Sequence, residues 1–231
     1  RCQICIDRSG SMFYPKATDE IHSNKIGFSI QAAASLVYLM RSQRDAVGVT
    51  LFGDGIEWST PAKSNSAHHN YLFQELEKEF DKKEGASSSN IVSSLHKIAE
   101  MVHKRSLIVI FSDFIDSVFI NDESQTELFE ALQHLRYNKH EVVLFHVYDK
   151  KTELNLDLEN RPYTFVDLET GEQIKVNPNE VREQYESLRK KKVGDVKLKC
   201  RQFGIDWVET DISEPADKVL ERFLAKRARM R

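Results

Sequence analysis

The chain has 231 residues, 40% of them hydrophobic and 30% charged, which is ordinary for a folded globular protein. Thirteen phenylalanines against nine glycines and five prolines argue against a disordered chain, and the formal net charge of -3 argues against a dedicated nucleic-acid-binding protein. No apolar run approaches the ~20 residues that a membrane-spanning helix needs. We therefore expect no membrane span in this chain and a cytoplasmic location.

Short apolar runs recur along the chain and predict buried β-strands. They cover residues 4–6, 46–52, 107–111 and 142–147, with a last strand at 205–209. Unbroken runs of this kind are typical of parallel strands that are covered on both faces. After the second run, Gly53-Asp54-Gly55 predicts a tight turn into a short antiparallel edge strand near residues 56–60.

Apolar residues at helical spacing separate these strands. The repeats cover residues 26–40, 91–102, 128–135 and 216–224, and a long helix is predicted over 178–203. The residues of the long helix that we expect to face inward are Val181, Tyr185, Leu188, Val196, Cys200 and Phe203. The alternation of strands and helices predicts an α/β fold with a doubly wound, mostly parallel sheet and helices on both faces.

The segment around residues 150–178 lacks a helical repeat and contains a predicted β-hairpin. Residues 163–168 and 173–176 flank Glu169-Thr170-Gly171-Glu172, a sequence typical of a turn. Because we find no internal repeat and no low-complexity linker, we predict a single domain over residues 1–231 with this hairpin as an insertion. The sequence begins with Arg1 rather than Met, so we expect a carboxyl-terminal fragment of a longer chain.

Cys2 and Cys5 form a C-x-x-C pair, a spacing found in zinc and redox sites. Both cysteines fall in the first predicted strand, where side chains three residues apart point to opposite faces. No second cysteine pair is present to complete a structural zinc site. We therefore interpret both, and Cys200 in the long helix, as buried apolar residues.

The first strand runs directly into the sequence DRSGS at residues 7–11, which supplies a carboxylate from Asp7 and hydroxyls from Ser9 and Ser11. In an open α/β sheet, ligands bind beyond the carboxyl ends of the strands. These hard oxygen ligands suit Mg²⁺, or Mn²⁺ in its place. One carboxylate is too few to neutralise a divalent ion. We expect Asp113, directly after the strand at 107–111, to supply the second, while the serines at 87–89 place another hydroxyl on a loop.

This set resembles the metal-ion-dependent adhesion site of von Willebrand factor A domains, whose signature is D-x-S-x-S, then a Thr, then an Asp. The matching residues are Asp7, Ser9, Ser11, Ser89 and Asp113. Ser89 stands where such domains usually have Thr. The resemblance implies that the hydroxyls contact the metal, that the acidic residues often act through water, and that a partner protein's carboxylate completes the coordination. Asp116 either contacts these ligands without contacting the metal itself or caps a helix.

Four further stretches extend the resemblance over nearly the whole chain. Residues 45–54, 111–114, 166–172 and 200–206 look like the bacterial domain-of-unknown-function family 58. Members of that family are von Willebrand A-like and are commonly encoded beside MoxR-type AAA+ ATPases. The resemblance therefore implies a protein partner, either such an ATPase or its client complex.

We predict a divalent-cation-dependent protein–protein interaction module that is not an enzyme, in which the cation binds an Asp or Glu of the partner. The alternative is a Mg-dependent phosphohydrolase, because haloacid-dehalogenase-type phosphatases also begin with a strand that ends in Asp. The motif of those enzymes resembles D-x-D-x-T. In this chain Ser9 stands in place of the second acid, so the general acid is absent. The basic residues at 189–192 and 226–231 lack interleaved aromatic residues, and we expect no nucleic-acid partner.

Overall fold

The structure is a computed structural model that describes residues 1–16, 24–82, 90–114, 122–166 and 171–229. Its strands are β1 (Cys2–Asp7), β2 (Val47–Phe52), β3 (Ile56–Ser59), β4 (Leu107–Ser112), β5 (Glu141–Tyr148), β6 (Tyr163–Val166), β7 (Gln173–Val176) and β8 (Asp206–Asp211). Its helices are α1 (Lys25–Ser42), α2 (Ser66–Phe80), α3 (Ile91–Met101), α4 (Asp122–Tyr137), α5 (Pro178–Gln202) and α6 (Ala216–Arg229).

A six-stranded sheet in the order β3-β2-β1-β4-β5-β8 forms the centre of the fold. Only the edge strand β3 is antiparallel to its neighbour within this sheet; the other pairs are parallel. The predicted α/β fold is therefore confirmed. From β1 the chain first builds β2 and β3 on one side and then returns to build β4 and β5 on the other. The strand order thus reverses between β1 and β4, the place where doubly wound sheets bind their ligands.

The sheet separates two apolar cores. Cys2, Ile4 and Ile6 on β1 face the core beneath α1, α2 and α6. Cys5, on the opposite face, belongs to the core beneath α3, α4 and α5, which also contains Cys200. All three cysteines are free and buried, so their interpretation as apolar core residues is confirmed.

The buried face of helix α5 differs from the predicted one at Leu188. Leu188 is 53% exposed, whereas Arg189 is only 6% exposed. The inward face passes through Arg189, Val193 and Val196, which follow one another at helical spacing. The Arg189 guanidinium lies 5.1 Å from the ring centroid of Tyr148. The prediction for Leu188 is wrong because a long charged side chain, rather than the apolar residue beside it, packs against the sheet.

The predicted hairpin insertion is present as β6 and β7, which form a separate two-stranded antiparallel sheet. The turn at residues 167–170 lies outside the described residues. Between β5 and this hairpin, Lys150–Leu154 forms a π-helical turn that the sequence did not predict. None of the helices described is long and apolar enough to cross a bilayer.

Candidate metal centre

Asp7 ends β1 at the carboxyl edge of the sheet, and it is only 2% exposed. Its Oδ1 atom accepts a hydrogen bond from the main-chain N–H of Ser9, at 2.9 Å. Its Oδ2 atom accepts one from the hydroxyl of Ser112 on the neighbouring strand β4, at 2.6 Å. Because both carboxylate oxygens are held by donors from different strand ends, the orientation of Asp7 is fixed.

The two serines of the DRSGS sequence lie beside Asp7. Their Oγ atoms are 3.1 Å apart, and Ser9 is buried whereas Ser11 is half-buried. A 3₁₀ turn at Gly10–Phe13 holds this arrangement, and the fully buried side chain of Met12 anchors the turn in the core. The turn therefore presents two neutral oxygens side by side at the end of β1.

Asp113 follows β4 directly and is 3% exposed. Burial, and after it the negative charge of Asp113, raises the pKa of Asp7 to about 7, although hydrogen bonds from Ser112 and Ser9 act in the opposite direction. The structure thus brings the two predicted acidic residues close enough for their charges to interact. Such a pair is stabilised by a nearby cation.

A cation that the sequence analysis missed is already present at this edge. The Nζ atom of Lys25 is fully buried, 2.6 Å from Oδ2 of Asp113 and 2.5 Å from Oε1 of Glu153. Burial alone would lower the pKa of Lys25, but the charges of Asp113 and Glu153 outweigh it and raise this pKa. The side chain is therefore an ammonium group.

Lys25 reaches this place because it is the first residue of α1, whose N-terminus points towards the edge of the sheet. The side chain of Asn24 caps the helix by accepting a hydrogen bond from the N–H of Gly27, at 2.9 Å. Residues 25–30 are all buried, so the Lys25 stem has no route to solvent. A lysine inside an otherwise apolar and small-residue first turn was the signal available in the sequence.

Two predicted site residues, Ser89 and Asp116, lie outside the described residues. The residue after Ser89 is described. Asn90 caps α3 by accepting a hydrogen bond from the N–H of Ser93, and its own N–H donates to the carbonyl oxygen of Gly53 at 3.3 Å. The start of α3 is therefore tied to the carboxyl end of β2, next to β1.

The residues present fit a divalent cation of the Mg²⁺ type. Three carboxyl groups, from Asp7, Asp113 and Glu153, and one ammonium, from Lys25, leave two negative charges when all are ionised. One divalent ion balances that charge. Among the described residues, no group of three or more His, Cys, Asp or Glu side chains is placed to hold a metal by itself. A cation here would depend on serine hydroxyls and water together with the carboxylates, as Mg²⁺ prefers.

The fold and the site together define the class of protein. The sheet order, with its antiparallel edge strand, is that of a doubly wound α/β protein, and the D-x-S-x-S turn at the end of β1 resembles that of von Willebrand A domains. The family model described as "Protein of unknown function DUF58" matches residues 2–194, and the chain belongs to that family. No curated protein matches the chain.

Solved structures support the fold. The conserved hypothetical protein BatB from Bacteroides thetaiotaomicron is 18% identical, with a TM-score of 0.53 over 99% of this chain and 98% of that one. An aerotolerance-related membrane protein from Bacteroides fragilis is also 18% identical, with a TM-score of 0.51 over 97% and 98% of the two chains. The PilB minor pilin from Streptococcus sanguinis is 7% identical, with a TM-score of 0.54 over 100% of this chain and 61% of that one. Identities this low establish a shared fold alone.

Proposed function

We propose that this chain is a divalent-cation-dependent protein interaction module. Asp7, Ser9, Ser11 and Asp113 would hold Mg²⁺ or Mn²⁺, and a partner protein would supply an Asp or Glu carboxylate to it. The observation that carries the proposal is the buried, oriented carboxylate of Asp7 beside two hydroxyls and a second buried acid, at the point where the strand order reverses.

The chemistry of the donors favours an acidic partner. Each oxygen of an ionised carboxylate has two lone pairs, so Asp7 keeps accepting capacity after the hydrogen bonds from Ser9 and Ser112. The hydroxyls of Ser9 and Ser11 add oxygen ligands without adding negative charge. A cation bound by few anionic ligands keeps more of its charge available to an incoming carboxylate. Of these two hydroxyls, that of Ser11 is the one with access to a partner, because Ser11 is half-buried whereas Ser9 is buried.

The family gives the partner to test first. Resemblance to family 58 connects chains of this kind with MoxR-type AAA+ ATPases, so we propose such an ATPase, or its client complex, as the protein that presents the acidic residue. The interaction would need the metal and one Asp or Glu on the partner's surface, and it would not involve nucleic acid.

Metal binding is tested first, on the chain alone. At a metal concentration ten times Kd, Mg²⁺ or Mn²⁺ should stabilise the wild type by about 1.4 kcal/mol, which raises Tm by roughly 3–6 °C for a chain of this size. Asp113→Asn should lose this shift. Asp54→Asn is the matched control, because Asp54 is an exposed acid in the turn between β2 and β3. Equal shifts in the wild type and in Asp113→Asn would reject the site.

Partner binding is tested second, by calorimetric titration of the MoxR-type ATPase in Mg²⁺ and in EDTA. Ser9→Ala removes one neutral ligand and leaves the charge unchanged, so it should weaken metal and partner binding together without unfolding the chain. Affinity that is unchanged in EDTA and in Ser9→Ala would separate the interface from the metal centre. Turnover of a phosphate ester that depends on Mg²⁺ and Asp7 would instead establish the phosphohydrolase alternative.

A further inference from the structure

Lys25 occupies an unusual place for a lysine. Its ammonium is completely buried and lies between a carboxylate of the candidate metal centre, Asp113, and the carboxylate of Glu153. A buried charge is costly unless it is paired and hydrogen-bonded. Both carboxylates lie within 2.6 Å of the Lys25 Nζ atom, so this buried ammonium is paired and hydrogen-bonded.

Glu153 connects this ammonium to the turn at Lys150–Leu154. Its Oε1 atom accepts from Lys25, whereas its Oε2 atom accepts from the main-chain N–H of Asp149 at 2.7 Å. Its carbonyl oxygen accepts from the hydroxyl of Tyr185 on α5, at 2.8 Å. The contact with Lys25 therefore joins the acid after β4 to the segment after β5 and, through Tyr185, to α5.

The ammonium and a divalent cation would use the same carboxylate. Oδ2 of Asp113 is the atom that accepts the Lys25 hydrogen bond, so part of its accepting capacity is taken. Two positive charges at one buried carboxylate also repel each other strongly, because little water screens them. Any divalent cation held by Asp7 and Asp113 is therefore repelled by a positive charge that is already in place.

We propose that Lys25 is a built-in counter-ion that competes with the divalent cation for Asp113 and thereby weakens metal binding. This inference rests on the proposed function of the same centre. Without metal, Lys25 neutralises Asp113 and keeps the edge of the sheet folded. With metal, the ammonium loses part of its interaction with Asp113 and depends more on Glu153. The metal therefore replaces the ammonium as the partner of Asp113. The metal affinity depends on how much more strongly Asp113 binds the metal than it binds Lys25.

The test is a calorimetric titration with Mn²⁺ alone, at one pH, of the wild type and of Lys25→Met. Methionine has a similar length and volume but no charge, so it removes the competing ammonium while filling the same space. We expect Lys25→Met to bind Mn²⁺ at least about tenfold more tightly than the wild type. Lys78→Met is the control, because Lys78 is exposed and pairs with Glu75 on the surface of α2. Its affinity should equal that of the wild type.

A second variant guards against a folding failure of Lys25→Met, which leaves two buried carboxylates without their counter-ion. Lys25→Met combined with Glu153→Gln removes one positive and one negative charge, so the net charge of the centre is unchanged. Since the removed ammonium touches Asp113 directly, this pair should still bind Mn²⁺ more tightly than the wild type.

The outcomes separate the two proposals. Mn²⁺ affinity that is equal in the wild type and in the folded Lys25 variants would overturn the role of Lys25 and leave the metal-dependent function standing. Weaker binding in those variants would also overturn it, since Lys25 would then be supporting the metal. Absence of Mn²⁺ binding in every protein would overturn the proposed function together with the inference built on it.

Discussion

Asp7→Asn should stabilise the protein in EDTA and, at the same time, abolish its stabilisation by metal. The pKa of Asp7 rises from 3.8 to about 7 in the folded protein, mainly through burial. The folded state thus binds this proton more tightly than the unfolded chain does. This tighter proton binding by Asp7 stabilises the folded state fully below about pH 4, and the stabilisation is lost as the pH rises towards 7. The full loss is about 4 kcal/mol, of which about 3 kcal/mol falls between pH 5 and pH 8.

The measurement is the difference in unfolding free energy between Asp7→Asn and the wild type, from urea titrations in EDTA at several pH values. This difference should grow in favour of the variant by about 3 kcal/mol between pH 5 and pH 8, or roughly 6–12 °C in Tm. Asparagine keeps an oxygen that accepts from the N–H of Ser9, so the local structure is retained. The exposed Asp54→Asn serves as control and should show no such growth. A pH-independent difference would refute the argument from burial and charge.

Three further outcomes follow from the structure. Ser112→Ala removes the hydroxyl that donates to Asp7, and it should weaken Mn²⁺ binding several-fold in calorimetry; unchanged affinity would mean that the orientation of Asp7 does not matter. Gly48→Ala would place a Cβ atom 2.4 Å from the carbonyl oxygen of Thr60. It should reduce the unfolding free energy, measured in urea, by about 1–3 kcal/mol. An unchanged unfolding free energy would show that β2 and the chain at Thr60 move apart easily. Zinc chelators should leave the circular dichroism spectrum and Tm unchanged, and tightly bound zinc that is lost in Cys5→Ser would contradict the core assignment.

The central strands could be predicted because nearly all of their residues are buried. β2 and β5 are covered on both faces, so their sequences are continuous apolar runs with little competing signal. The placement of Asp7 and Asp113 followed from the same runs, since Asp7 ends β1, Asp113 directly follows β4, and parallel neighbours end at one edge. The metal itself stays a prediction, because Ser89 lies outside the described residues and the geometry of the other ligands fits the ion without testing it.

Helix α2 and the contacts of Lys25 could not be predicted, for different physical reasons. The fully buried residues of α2 include only Leu72 and Leu76 as large apolar side chains. Phe73 is partly buried and two histidines complete the inward face, so the apolar repeat of the helix is weak. Lys25 is a charged residue whose partners Asp113 and Glu153 are 88 and 128 residues away in the sequence. Spacing along the chain carries no information about such a contact. It arises only when three separate elements meet at the edge of the sheet.

The alternation of side chains along β1 gives this protein two built-in reporters. Cys2 and Cys5 are three residues apart, yet one lies beneath α1, α2 and α6 and the other beneath α3, α4 and α5. Burial raises the pKa of both thiols, so an alkylating reagent reacts only when the covering helices move away. The rate of alkylation at each cysteine, resolved by mass spectrometry, therefore measures how often that side of the sheet opens. The two faces of one strand can be followed independently in the unmodified chain.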